Sequence, residues 1–324
     1  MLVLSDAEVE RLLPVADAVA LVEAAFVAYS QGRITCPQRL SLPLLPEGAV
    51  LLSMPAFDGA LYAGVKLVSV QPANAQRNLP VVRGTYLLFD GVTCEPLALL
   101  GATRLTAIRT GAAGGVAAKL LALPNADRLA LIGAGAQAVT QLMAALAVRP
   151  LRDVWVYSLT PQHVEDFIAR EAPRVPVRLH AARSAGEAVR QATIVVTATN
   201  AATPVFADED IQPGTHITAV GAFTAAMQEV PDATVARARV FVDTLDAAWH
   251  EAGDLAGPLA RGVIGRDHVV GELGALASGE IVGRGSTEQV TFFKSVGLAA
   301  QDLMCAAAVY RRALEAGVGT RALL

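Results

Sequence analysis

The sequence predicts an α/β protein that joins a doubly wound parallel sheet of the Rossmann type to a second, α+β region. Three observations support this prediction. A glycine-rich turn at residues 133–138 lies between an apolar strand pattern and a helix pattern. From this turn onward, strand and helix patterns alternate along the chain. The N-terminal third instead carries successive strands without helices between them. A chain of 324 residues is long enough for two domains.

The N-terminal third begins with helices and continues with strands. Ser5 and Glu8 form a capping-box pattern before a short helix, and a second helix pattern covers residues 14–30. Asp90-Gly91 is a turn signal between the last two strands of the region. The predicted strands, which indicate a mostly antiparallel sheet, cover residues 39–44, 50–54, 62–70, 85–89 and 96–100.

The glycine-rich turn has the G-x-G-x-x-A pattern of a dinucleotide-binding site. Residues 129–132 form a buried strand pattern, and a helix pattern follows at residues 139–148. Gly133 permits the tight turn, Gly135 lets the backbone approach a pyrophosphate, and Ala138 is small enough for close packing of helix and strand. A glycine-rich turn can be merely a turn, but its strand and helix context favours nucleotide binding at the helix N-terminus.

The middle of the chain repeats this alternation, which predicts a parallel sheet. Residues 253–285 are glycine-rich and indicate short helices along the edge of the sheet. The last helix pattern runs from about Gly297 to Ala316. The further strands are predicted at residues 153–157, 177–181, 193–199, 216–221 and 240–243, with helices at 161–171 and 184–191.

The end of the second Rossmann strand indicates which dinucleotide is bound. An acid there would pair with the ribose 2′-hydroxyl of NAD, but no acid occurs until Glu165. The hydroxyls of Ser158 and Thr160 can hold a 2′-phosphate instead, so NADPH is favoured and NADH is the alternative. No arginine reinforces this preference.

Composition excludes several classes of function. Hydrophobic residues make up 53% of the chain, charged residues 17%, and the net charge is −4, which argues against binding to nucleic acid or to an anionic membrane surface. No apolar run reaches membrane-spanning length, and acids near the N-terminus argue against a secretory signal. Three scattered cysteines indicate reduced thiols in a cytoplasm and no zinc site.

Three cations stand in or beside the predicted N-terminal sheet. Arg39 opens a strand, Lys66 lies among apolar residues, and Arg109 precedes a glycine- and alanine-rich helix pattern. Lys66 is the most informative, because a buried ammonium needs an anionic partner or a role in binding. Each cation taken alone could be a surface charge or part of an internal ion pair. Together they predict a pocket for a carboxylate, which guanidinium groups bind well.

Short motifs throughout the chain add a family resemblance. The chain resembles the ornithine cyclodeaminase/mu-crystallin family over essentially its whole length. The motifs that carry the resemblance are Met54-Pro-Ala, Lys66-Leu-Val, Arg109-Thr-Gly-Ala-Ala, Ile132-Gly-Ala-Gly-Ala-Gln137, Ile217-Thr-Ala-Val-Gly-Ala222, Gln228-Glu229 and Phe293-Lys-Ser-Val-Gly297.

The resemblance implies a domain organisation and a set of site residues. Residues 1–118 with 298–324 would form a domain that binds substrate and forms a homodimer through its sheet, and residues 119–297 would form the Rossmann domain. Arg39, Lys66 and Arg109 would bind the substrate carboxylate, the last two as catalytic residues. The implied cofactor-binding residues are Thr110, Gly133, Gly135, Ala136, Gln137, Ser158, Thr160, Val220, Lys294 and Gly297.

One departure from the family pattern favours a particular activity. Cyclodeaminases and alanine dehydrogenases of this family carry an aspartate just after the Ala-Val-Gly strand, where this chain has Phe223. An aromatic residue there resembles the ketimine reductases of the family. We therefore expect reduction of Δ1-pyrroline-2-carboxylate or Δ1-piperideine-2-carboxylate to L-proline or L-pipecolate, with Phe223 against the substrate. Lys66 or a bound water would supply the proton.

Two alternatives stay open at this point. The chain could be a cyclodeaminase or an alanine-type dehydrogenase of the same fold, or a carrier of small ligands like mu-crystallin itself. Among the other candidates, His216 is interpreted as structural, Asp243 as a site wall or a helix cap, and Glu229 as a local partner for a cation. Asp302 would either face the nicotinamide or lie on a helix surface.

Overall fold

The computed structural model describes residues 1–44, 48–77 and 79–323, and of Ala75 only the backbone. Within these residues the strands, in chain order, are β1 (Leu2–Leu4), β2 (Leu40–Leu44), β3 (Ala49–Phe57), β4 (Tyr62–Val70), β5 (Val82–Asp90), β6 (Pro96–Gly101), β7 (Arg128–Ile132), β8 (Asp153–Tyr157), β9 (Arg178–Ala181), β10 (Ile194–Thr197), β11 (His216–Ala219), β12 (Arg239–Val242), β13 (Val269–Glu272), β14 (Thr291–Lys294) and β15 (Thr320–Arg321).

The α-helices occur in both halves of the chain. In order they are α1 (Asp6–Leu12), α2 (Val15–Ser30), α3 (Ala102–Leu121), α4 (Ala138–Val148), α5 (Pro161–Glu171), α6 (Ala185–Gln191), α7 (Asp232–Arg237), α8 (Leu245–Glu251), α9 (Gly253–Ala260), α10 (Leu273–Ala277) and α11 (Ala299–Ala316). Short 3₁₀ turns occur at Pro72–Arg77, Ala172–Arg174, Asp208–Asp210 and Arg266–His268.

The chain divides into two compact units, one of Met1–Arg109 with Leu298–Leu324 and one of Thr110–Gly297. The division falls between Arg109 and Thr110, inside α3, whereas the sequence predicts it after residue 118. A helix that passes continuously from one unit to the other carries no turn signal at the point of division. Both positions lie within α3.

The first unit is a sheet with helices packed on it. In its described residues the strand order is β15-β1-β6-β5-β4-β3-β2, and the run from β6 to β2 is antiparallel, as the sequence predicts. The sequence missed β1 and β15. The first of these pairs parallel with β6, and the second pairs antiparallel with β1. Strands of two or three residues are too short to show an alternating pattern.

The second unit, all of whose residues are described, is a parallel sheet of the predicted doubly wound type. Its order is β13-β12-β14-β11-β10-β7-β8-β9, so the direction of strand succession reverses between β7 and β10. Both faces are covered. Ala130 and Ile132 of β7 pack in one apolar cluster, and Leu129 and Leu131 pack in the other. Ligands of such sheets bind at the carboxyl edge beside the reversal.

Candidate active site

In the first unit, Lys66 lies on the covered face of the sheet. Alternate residues of β4 are buried, and Lys66 is 0% exposed among them. Its neighbours across the sheet are Met54 of β3 and Tyr86 of β5. The apolar residues around Lys66 predict this burial correctly, and successive side chains of the strand point to opposite faces.

Asp302, in the first turn of α11, is the anionic partner that the buried lysine requires. Lys66 Nζ donates to Asp302 Oδ2 over 2.7 Å, and Arg109 Nε donates to Asp302 Oδ1 over 3.1 Å. Arg109 Nη1 also donates to Gln301 Oε1 over 3.0 Å. Asp302 is 0% exposed, so the helix-surface role considered for it from sequence is wrong.

The electrostatics of this cluster are set by burial and by the neighbouring cations. Burial, the largest cause, and the charge of Arg109 lower the pKa of Lys66 from 10.5 to about 7, although Asp302 acts in the opposite direction. Arg39 is near enough for its charge to lower the Lys66 pKa as well. The structure therefore brings together the three cations that the sequence selects, and two of them share Asp302.

Three further titratable groups beside this cluster are neutral at physiological pH. Burial raises the pKa of the Cys36 and Cys305 thiols to about 12 and raises that of the Tyr86 phenol well above 10.0. Among the described residues of the first unit, Asp302 is the only buried carboxylate. A buried set with more cations than anions is suited to a ligand that brings its own negative charge.

In the second unit, the turn after β7 has the backbone required for a pyrophosphate site. Gly133 has φ +105°, and a Cβ there would lie 2.5 Å from the carbonyl oxygen of Ala198. Gly135 and Ala136 are exposed, and a Cβ at Gly135 would meet no described atom within 4 Å. Gln137 precedes α4 and makes no side-chain cap, so the first N–H groups of that helix can bind an anion.

The end of β8 carries hydroxyl groups and no acid, as the sequence predicts. Ser158 is partly buried, Thr160 is exposed, and Thr160 stands at the N-cap of α5 without using its hydroxyl as a cap. The chain contains no Asp or Glu from residue 158 to residue 164. The prediction that the site prefers a 2′-phosphate rests on these hydroxyl groups and on the absence of an acid beside them.

A buried carboxylate fixes the loops that follow β10 and β11. Glu229 accepts from the N–H and the hydroxyl of Thr199 over 2.7 and 2.8 Å, and from the N–H groups of Gly221 and Ala222 over 2.8 and 3.0 Å. Val220, predicted to bind the cofactor, directly precedes this anchored pair and is partly exposed. Glu229 thus supports the loop backbone, a role that sequence reasoning did not foresee.

Lys294 occupies a different environment from the one that the sequence predicts. The sequence assigns it to the cofactor, yet it is 1% exposed and its Nζ lies 2.9 Å from Asp254 Oδ2. Asp254 Oδ1 accepts from the N–H groups of Glu229 and Val230 over 2.6 and 2.9 Å. The ammonium therefore has an anionic partner inside the unit, and its contact with the cofactor stays a prediction.

The remaining predicted residues have varied environments. Thr110 is buried in α3, and its carbonyl accepts from Gln141 Nε2 over 3.1 Å. Gly297 has φ +91°, and its N–H donates to Asp243 Oδ2 over 2.7 Å. Phe223 is 37% exposed, which is unusual for a phenylalanine and leaves part of the ring available to a ligand. Through its bond to the N–H of Gly297, Asp243 holds the loop that follows β14.

Neither a metal site nor a membrane-spanning helix is indicated. Over residues 1–44, 48–77 and 79–323, no group of three or more His, Cys, Asp or Glu side chains could hold a metal ion. In the same residues, no single helix is long and apolar enough to cross a membrane. The bent pair α1 and α2 meets that test only when both helices are counted together.

Comparison with known proteins identifies the family to which the chain is similar and the activity of its relatives. The sequence model of the ornithine cyclodeaminase/mu-crystallin family matches residues 1–317. The chain is 41% identical over 323 residues to a Δ1-pyrroline-2-carboxylate reductase of Bacillus cereus, with 99% of each chain covered.

Two solved structures are similar over the whole chain. Thermococcus litoralis Δ1-pyrroline-2-carboxylate reductase, in complex with NADH and L-proline, superposes with a TM-score of 0.97 at 36% identity, covering 99% of this chain and 100% of that one. An archaeal alanine dehydrogenase dimer with bound NAD gives a TM-score of 0.94 at 36% identity, covering 100% and 99%.

Proposed function

Because the chain belongs to the ornithine cyclodeaminase/mu-crystallin family, we propose that it reduces a cyclic ketimine carboxylate with a nicotinamide dinucleotide. The substrate is Δ1-pyrroline-2-carboxylate, Δ1-piperideine-2-carboxylate or both, and the product is L-proline or L-pipecolate. The observation that carries the proposal is the buried pair of cations, Lys66 and Arg109, held by one carboxylate. Reductases of the first of these imines are similar to the chain over its whole length.

The first unit binds the substrate. Arg109 and Arg39 attract its carboxylate, and Lys66 is both a carboxylate partner and the donor of the proton that the imine nitrogen needs. The sequence assigns Phe223 to the substrate as well, since a phenyl ring can exclude water and pack against a flat cyclic imine. When bound, the reduced nicotinamide supplies the hydride for the imine carbon.

The second unit binds the dinucleotide. The pyrophosphate lies at the turn of Gly133, Gly135, Ala136 and Gln137, and the ribose lies at Ser158 and Thr160. Further contacts come from the remaining predicted residues, which are Thr110, Val220, Lys294 and Gly297. NADPH is preferred, because the end of β8 offers hydroxyls and no acid to repel a 2′-phosphate. Two similar structures hold NADH or NAD. These relatives support a nicotinamide dinucleotide as cofactor, and the preference for NADPH rests on the end of β8 alone.

The protein acts as a homodimer in the cytoplasm. A related alanine dehydrogenase is a dimer, and the edge strand β2 presents Leu40 and Leu42 with 61% and 49% exposure, which a partner subunit would cover. The assignment to the cytoplasm rests on the three scattered cysteines of the sequence, which would stay reduced there.

The test is the oxidation of NADPH and of NADH with a panel of substrates. Purified protein is offered the two cyclic imines, pyruvate with ammonia, and iminosuccinate, and the loss of cofactor absorbance is followed. Faster turnover of a cyclic imine than of pyruvate with ammonia supports the proposal. Preferred amination of pyruvate would instead indicate an alanine dehydrogenase, the alternative suggested by the archaeal relative, and binding without turnover would indicate a carrier.

A further inference from the structure

Asp302 is the common partner of the two buried cations that bind the substrate. One of its oxygens accepts from Lys66 Nζ over 2.7 Å and the other accepts from Arg109 Nε over 3.1 Å. Its side chain is 0% exposed, and so is that of Lys66. Each carboxylate oxygen thus has a separate cation, and one rigid group fixes the relative positions of both.

The charges around Lys66 come from several elements of the first unit. Helix α3 contributes Arg109, the segment before β2 contributes Arg39, and α11 contributes Asp302. Three further neighbours of the cluster carry no charge at neutral pH, because burial raises their pKa values; they are Cys36, Tyr86 and Cys305. Asp302 opposes the combined effect of burial and two arginines on the ammonium.

We propose that Asp302 is the positioning residue of the reduction: it keeps Lys66 protonated and aimed at the imine nitrogen, and it fixes Arg109 for the substrate carboxylate. This inference rests on the proposed function. Asp302 acts through these two side chains and does not itself touch the substrate.

The proton balance follows from this arrangement. The lone pair of the imine nitrogen forms a new N–H bond, the Nζ–H bond of Lys66 breaks, and its electron pair stays on Nζ. Hydride then arrives at the imine carbon with two electrons, and the π pair of the C=N bond becomes the lone pair of the amine. Neutral Lys66, still hydrogen-bonded near Asp302, regains its proton from water. One proton and one hydride are consumed for each imine.

The pKa of Lys66 explains why the partner must be a carboxylate. Burial and Arg109 together lower this pKa to about 7 although Asp302 opposes them. An asparagine at position 302 would remove the opposing charge, so the Lys66 pKa would fall further. The protonated donor would then be scarce at neutral pH, although the side chain at position 302 kept its shape.

The decisive experiment compares two substrates in Asp302→Asn and in the unmodified protein. One is Δ1-pyrroline-2-carboxylate, and the other is its N-methyl iminium analogue, whose fixed positive charge makes proton delivery unnecessary. We expect the ratio of kcat on the imine to kcat on the iminium to fall about tenfold or more at about pH 8, since one unit of pKa is a factor of ten. The limb of kcat that declines with rising pH should move to lower pH for the imine alone.

Two further variants separate this role from a structural one. Gln301→Met removes a partner of Arg109 but leaves Lys66 with Asp302, so it should raise KM for both substrates without shifting the pH profile. Asp302→Glu keeps the charge and should restore part of the imine activity. If Asp302→Asn fails to fold, Lys66→Arg replaces it, because an arginine stays charged yet cannot give up a proton at neutral pH.

A readout independent of turnover is the affinity for pyrrole-2-carboxylate, a planar carboxylate without a basic nitrogen, measured by calorimetry. Asp302→Asn should weaken its binding, because Arg109 loses its anchor. Equal losses on imine and iminium, with an unshifted pH profile, would overturn the assignment of Asp302. If the unmodified protein reduces neither substrate, it is the proposed function that fails.

Discussion

Glu229 accepts the N–H of Gly221 over 2.8 Å, and the two residues are packed so closely that a Cβ at Gly221 would lie 2.5 Å from Glu229 Oε1. The same Cβ would lie 2.0 Å from the carbonyl oxygen of Thr199. The loops after β10 and β11 are therefore in direct backbone contact, and one buried carboxylate bonds to both. Gly221 is required here because of this contact and not because of a special backbone conformation.

Glu229→Gln should loosen these loops. A carboxylate that accepts four hydrogen bonds would be replaced by an amide with one acceptor oxygen, so at least one buried N–H would lose its partner, at a cost of about 1–3 kcal/mol. We expect lower stability in chemical denaturation and weaker NADPH binding in fluorescence titration. Glu187→Gln, which removes a surface partner of Arg183, is the control and should change neither. Unaltered NADPH affinity in Glu229→Gln would show that the loops do not support the cofactor.

Ser158→Asp should shift cofactor preference toward NADH. The new carboxylate would repel a 2′-phosphate and accept hydrogen bonds from a ribose 2′-hydroxyl. The ratio of kcat/KM for NADPH to that for NADH is the quantity to compare. Ser158→Ala serves as the control, because it removes the hydroxyl without adding charge and should reduce the ratio less. Equal or better use of NADH by the unmodified protein would contradict the proposed preference.

Arg109→Ala should weaken substrate binding by about 1.5–3 kcal/mol, the value of a charge-assisted hydrogen bond, which corresponds to a rise in KM of about tenfold to a hundredfold. NADPH affinity should change little. Arg104→Ala is a matched control on the same helix, since that side chain is partly exposed and pairs with Glu10. A collapse of NADPH binding in Arg109→Ala would mean that Arg109 serves the dinucleotide and that the carboxylate pocket is misassigned.

The Lys66 pKa also has a consequence for stability. Its value is about 7 in the folded protein against an ordinary 10.5, so between these pH values the unfolded chain binds more protons at this site. The contribution of Lys66 to the free energy of unfolding should therefore increase as pH rises through that window. Lys66→Met should remove this increase in urea denaturation series, whereas the exposed Lys119→Met should preserve it. Identical pH slopes in the two variants would contradict the lowered pKa.

The sequence predicted those parts of the fold and site that depend on local pattern. The apolar residues flanking Lys66 predicted its burial, and a buried ammonium needs either an anionic partner or a role in binding. The identity of that partner could not be predicted, because Asp302 lies 236 residues further along the chain. One signal was available: Asp302 follows the Lys294-Ser-Val-Gly297 motif in the first turn of a helix whose other residues are mostly apolar.

Lys294 is a motif residue whose surroundings the sequence does not reveal. Its place in a family motif indicates a cofactor ligand, which stays a prediction, and in the structure it ends β14 inside the sheet and pairs with Asp254. Its burial and the position of the acid could not be predicted, because both arise from tertiary packing.

Phe223 leads to the last prediction, which separates reduction from cyclodeamination. Cyclodeamination needs proton transfer at an amino group, and a phenyl ring can neither donate nor accept a proton. Reduction of a cyclic imine does not need an acid at this position, because in the proposed reaction Lys66 supplies the proton and the ring can exclude water. We therefore expect no release of ammonia when the protein is incubated with ornithine and catalytic NAD, and NADPH-dependent reduction of Δ1-pyrroline-2-carboxylate or its six-membered homologue by the same preparation.

Two substitutions at this position extend the test. Phe223→Leu keeps an apolar side chain and should retain most of the imine reduction. Phe223→Asp should raise KM for the imine by about tenfold or more, because a carboxylate beside the substrate would repel the carboxylate of the imine and admit water. The ring is 37% exposed, so both variants should fold, as thermal denaturation can check. Robust ammonia release from ornithine by the unmodified protein, with no imine reduction, would show that the protein is a cyclodeaminase and not a reductase.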